Sequence, residues 1–96
     1  TKLRALYQRK KGRDLFDLAL ALEHGGASPA RIVEAFQRYL REEGTGVTRP
    51  MFEQNLSAKK TDSAFNADLR PLLASGRTWD FDAAFERVWR ELVARL

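Results

Sequence analysis

Apolar residues recur along this chain at the three-and-four spacing of helices, and no strand-like alternation runs longer than four residues. Leu3, Leu6 and Tyr7 share one face of a first helix over residues 1–11, and Gly12 is the expected break, because glycine weakens a helix interior by about 1 kcal/mol relative to alanine. A second helix follows from Arg13 to His24. Leu15, Leu18, Ala19 and Leu22 line its apolar face, and Phe16, Leu20 and Ala21 widen it, as in a helix central to its domain. It stops at His24, a cation-forming residue in the last turn, before Gly25-Gly26. Ser28-Pro29 opens a third helix through Ile32, Val33, Phe36, Tyr39 and Leu40 that ends at Gly44. Its charged residues, Arg31, Glu34, Arg38, Arg41, Glu42 and Glu43, form a mixed solvated face on which no site is read.

Thr48 caps a fourth helix with Pro50 in its first turn and a narrow stripe of Met51, Phe52 and Leu56. Lys59-Lys60 closes it, cations suiting a helix C-terminus. Thr61-Asp62-Ser63 supplies the cap of a helix carrying Phe65, Leu69, Leu72 and Leu73, which Pro71 should kink or divide. Asp80 opens the last helix, with Phe81, Phe85, Val88, Trp89, Leu92 and Leu96; Trp79 and Trp89 read as core anchors in preference to a base-stacking platform. The expectation is an all-α fold, a bundle of about five helices with short loops, in one domain spanning residues 1–96.

Charge adds a feature the periodicity does not carry. Lys2, Arg4, Arg9, Lys10, Lys11 and Arg13 precede the first acidic residue; without them 11 Lys and Arg face 13 Asp and Glu, a net of −2 against +4 for the whole chain. The positive excess is thus confined to the first thirteen residues, which points to an anionic partner, phosphate above all. The absence of cysteine excludes disulfides, thiolate metal sites and thiol nucleophiles, and fits a reducing cytosol. No apolar run approaches the roughly 18 residues of a membrane span. The chain starts without Met and inside a helical pattern, so a fragment of a larger protein, engineered or proteolysed, is expected.

Directly after the basic block, Asp14 and Asp17 stand three positions apart on nearly the same helix face. Carboxylates can hold a metal or position a base, while Arg9, Lys10 and Arg13 could neutralise phosphate or nucleic acid. The plainer alternative stays beside it: acids in a first helical turn answer the macrodipole, and Arg13 with Asp17 is an ordinary (i, i+4) pair. No metal ligands are assigned, since Asp14 and Asp17 alone are too few for Mg²⁺. A glycine-rich phosphate loop, a His-x-x-x-His pair and a serine nucleophile elbow are all missing.

Lys2-Leu3-Arg4-Ala5-Leu6 followed by Arg9-Lys10-x-x-Arg13-Asp14-Leu15-Phe16-Asp17-Leu18 resembles the C-terminal part of the nucleotidyltransferase-like AbiEii/AbiGii toxins. Those proteins belong to bacterial abortive-infection and toxin–antitoxin pairs. The likeness continues more loosely through Phe52-Glu53-x-Asn55-Leu56 and Phe65-x-x-Asp68-Leu69-x-Pro71-Leu72-Leu73, with Phe16 where tyrosine is commoner. The resemblance implies that Lys2 engages a nucleotide triphosphate, that Asp17, or alternatively Asp14, is the later acid of the site, and that Arg9 and Arg13 face phosphates or RNA. It also implies Mg²⁺ and the triphosphate as cofactor and substrate of the full-length protein, a cognate antitoxin as partner, and a bacterial cytoplasmic location. The family's Gly-Ser motif with its paired acids belongs to an α/β half that this chain lacks, so the fragment alone is expected to be inactive and to hold no cofactor.

Two other function classes remain open at this level. The first thirteen residues could bind a nucleic acid backbone in a salt-sensitive, non-enzymatic module. A helical docking domain for a protein such as an antitoxin is the other, and exposure of Trp79 or Phe81 would favour it. If Leu3, Leu6 and Tyr7 are left without a covering domain, a second copy of the fragment could pack on them as a homodimer.

Overall fold

The computed structural model describes residues 2–26, 28–71 and 80–96. Six α-helices have both ends in these residues: α1 Lys2–Gln8, α2 Gly12–Glu23, α3 Pro29–Glu43, α4 Arg49–Lys60, α5 Ser63–Ala67 and α6 Phe81–Glu91, followed by a 3-10 turn, Val93–Arg95. No strand occurs among the described residues, and the all-α expectation holds.

Helix α2 is central because its apolar sector is wide. One side of it packs on α6 and another on α1, while α4 packs on the C-terminal turn. Leu15 and Leu18 meet Leu3, Leu6, Phe36, Phe52, Leu56, Phe65, Val88 and Leu92 in a single core. Leu3 and Leu6 are fully buried by the chain itself, which removes the reason to expect a second copy covering them. Tyr7 packs with a tilted ring 5.1 Å from Phe52, which meets Phe36 edge-on at 5.7 Å. Trp89 lies half-buried 5.9 Å from Phe85, as a packing residue. Phe81 is likewise half-buried, against Phe65 and Phe85.

Helix ends fall where caps are found. Thr48, Asp62 and Asp80 accept from the backbone N–H of Met51, Phe65 and Ala83. Gly44 closes α3 at φ +69°, and Gly25 follows α2 at φ +67°, both in the left-handed region that favours glycine.

The break between α1 and α2 departs from expectation. It falls at residues 9–11, and Gly12 is buried as the first residue of α2. A Cβ there would lie 2.5 Å from the Phe65 carbonyl oxygen and 2.6 Å from Leu69 Cγ. Glycine is needed for this close approach of α2 and α5, not as a helix breaker. At the other end, α6 stops at Glu91 and the chain tightens into a 3-10 turn, so the last helix does not run on to Leu96. Leu72, Leu73 and Trp79 lie outside the described residues, while Arg70 and Pro71 are helical.

Candidate functional site at the α1–α2 corner

Because α1 lies against the first turns of α2, Lys2 comes over Asp14 and Asp17 although twelve and fifteen residues separate them in sequence. Lys2 Nζ is 2.9 Å from Asp17 Oδ2 and 3.6 Å from Asp14 Oδ1. Asp14 also receives both arms of Arg9, Nη2 to Oδ1 at 2.8 Å and Nε to Oδ2 at 3.2 Å. This fork-on-carboxylate geometry is the strong form of the ion pair. Lys2, Arg9, Asp14 and Asp17 therefore form one cluster, with two positive and two negative charges.

Exposure separates the members. Asp14 has 0% of its side chain exposed, Asp17 37%, Lys2 51% and Arg9 55%. The ammonium of Lys2 is pushed above its ordinary pKa, chiefly by its hydrogen bond to Asp17, and the Arg9 guanidinium is pushed up by Asp14. Both cations are thus held charged. An ammonium has three N–H donors, so with two carboxylates bound Lys2 keeps one for a further acceptor.

The other candidates behave differently. Lys10 pairs with Asp62 at 3.5 Å, away from the cluster. The expected Arg13–Asp17 pair does not form, because Asp17 is taken by Lys2. Arg13 instead donates its backbone N–H to Asp68 Oδ2 at 2.9 Å, so the remote Asp68 caps α2 while Lys11 at the N-cap position makes no cap hydrogen bond. Of the basic block, Lys2, Arg9 and Lys10 are neutralised within the chain, and Arg4 lies 4.6 Å from the centre of the Tyr39 ring. Half of the block's six positive charges are thus offset by aspartates within the chain.

Neither aspartate is arranged for magnesium. Asp14 is fully buried with both oxygens engaged, Asp17 is bound to Lys2, and no group of three or more metal-ligating side chains occurs among the described residues. The chain does contain an Asp-x-Asp pair, but Asp80 is the cap of α6 and Asp82 faces Lys60 at 3.9 Å.

Two residues that matter to the corner have no signal in local sequence. Lys59 is only 4% exposed; it leaves the end of its own helix and donates to the carbonyl oxygens of Leu6 and Tyr7, the latter at 2.8 Å. It closes the C-terminus of α1, not that of α4, and burial lowers its pKa to about 8. Arg31, assigned to the solvated face of α3, lines a groove of about 500 Å³ together with Lys2 and Asp17.

A family model described as "Nucleotidyl transferase AbiEii toxin, Type IV TA system" matches residues 1–87. No curated protein matches the chain, and no solved structure does.

Proposed function

Since the chain belongs to the AbiEii nucleotidyl transferase toxin family of type IV toxin–antitoxin systems, we propose that it is the helical C-terminal part of such an enzyme and contributes Lys2 and Asp17 to a nucleotide triphosphate site. The observation that carries this reading is the convergence of Lys2, Asp14 and Asp17, distant in sequence, at a half-exposed corner beside a groove.

Transfer of a nucleotide requires an acceptor oxygen to attack the α-phosphorus while pyrophosphate leaves, and protein groups help mainly by positioning and by neutralising charge. Lys2 has the free donor and the fixed positive charge for a phosphate oxygen. Asp17 is exposed enough to reach substrate and orients Lys2 from beside it. Asp14 has no exposed surface, so it acts as a positioning residue that ties Arg9 and Lys2 to α2. The carboxylates of this corner do not suit Mg²⁺ unaided, Asp14 being buried and Asp17 bound to Lys2. The acceptor is proposed to be RNA, and a cognate antitoxin is the partner that the family implies.

The test is labelling by the longer parent protein with Mg²⁺, each labelled triphosphate and total RNA. Lys2→Ala and Asp17→Ala should abolish the labelled product. Product that survives both changes would remove these residues from the site, and no product under any condition would sink the transferase reading itself.

A further inference from the structure

The Lys2 corner is electrically balanced, two cations against two carboxylates, yet a triphosphate brings three to four negative charges. Binding at Lys2 therefore calls for a further cation nearby. Arg31 is the other cation lining the groove that Lys2 and Asp17 border, and it makes no hydrogen bond or ion pair with another described residue. Its planar fork suits phosphate oxygens better than an ammonium does.

The walls of the same groove are apolar. Leu18 and Ala21 of α2 oppose Ile32 and Ala35 of α3, and the two alanines leave the space open. About 500 Å³ falls within the range of small-molecule sites, which join an apolar lining to a few charged groups. Taken with Asp17, the lining carries a net charge of +1, which matches an anion with a flat apolar part better than it matches an aliphatic helix.

We propose that the groove between α2 and α3 seats the nucleoside of the triphosphate, with Arg31 contacting its phosphates. The proposal rests on the transferase reading above and adds to it the seat of the nucleoside and a phosphate contact that α3 supplies.

The experiment uses the parent protein and measures direct binding of ATP, CTP, GTP, UTP and inorganic tripolyphosphate by calorimetry, alongside labelling. Arg31→Gln should weaken the bound nucleotide and tripolyphosphate about tenfold each. Ala35→Leu, at an exposed position that tolerates a larger side chain, should fill the groove and weaken the nucleotide about tenfold while leaving tripolyphosphate unchanged. Ala21→Leu should repeat that result from the opposite wall. Labelling that persists with unchanged nucleotide affinity in all three variants would overturn the groove and leave the transferase reading standing. An effect of Arg31→Gln alone would overturn the nucleoside seat. If the parent neither labels nor binds any of the four nucleotides, both readings fall.

Discussion

A carboxylate without exposed surface can act only through the groups bonded to it, and Asp14 is in that position beneath Arg9 and Lys2. Asp17, three residues on, has a partly open surface. The two should therefore separate in a thermal melt. Asp14→Ala should lower the midpoint by about 10 °C, since it removes a buried acceptor of charge-assisted bonds. Asp17→Ala should shift it by no more than about 3 °C, as expected for an exposed ion pair, while still removing transferase labelling. Lys59 poses a different residue-scale question. Its folded pKa of about 8 lies below the ordinary 10.5, so between those values the unfolded chain binds more protons than the folded one. Stability contributed by Lys59 must then rise with pH through that window, the burial penalty being fully present below about pH 8. Lys59→Met should be less stable than the natural chain at pH 7, because two helix-end carbonyls lose their donor. Urea unfolding should show that gap widening toward pH 10. A constant gap would mean that Lys59 does not titrate in this range.

At the scale of elements, α2 is fixed by contacts from segments distant in sequence. Asp68 caps its start, and the Phe65 carbonyl and Leu69 crowd its first residue, Gly12. Gly12→Ala would normally favour a helix by about 1 kcal/mol. Here the new methyl meets a backbone oxygen that cannot swing aside, so the midpoint should instead fall by about 5–15 °C. Asp68→Ala should cost roughly 1 kcal/mol as a lost cap, read in the same melts. An unchanged midpoint in Gly12→Ala would contradict the close approach of α2 and α5. These contacts hold the start of the helix that carries both aspartates. Helix existence and most helix starts were legible, because apolar spacing, the side-chain caps at Thr48, Asp62 and Asp80 and the proline that opens α3 after Ser28 are all local, although Ser28 itself makes no side-chain cap bond. The reading of Gly12 was not, because propensity carries no information about which neighbour approaches.

For the molecule as a whole, the charge block and the folded surface give different expectations for polyanions. Six cations acting together on single-stranded RNA would give a slope of log K on log salt near about −4. With the charges of Lys2, Arg9 and Lys10 offset by Asp17, Asp14 and Asp62, the block keeps a net of three positive charges, and the expected slope is about −2. Fluorescence anisotropy of a labelled oligonucleotide across a salt series measures it, and a slope near −4 would restore the nucleic-acid module as the leading reading. The sequence by itself determined the helical class, the approximate helix count, the central place of α2 and the family to which residues 1–87 match. Those follow from periodicity, local capping and residue order. Only the tertiary structure decided that Asp14 is buried and Asp17 open, that Lys59 closes α1, and that Arg31 joins Lys2 at one groove. Each of those depends on which helix faces are brought together over separations of twelve to more than fifty residues, and on the desolvation that follows, which no local pattern encodes.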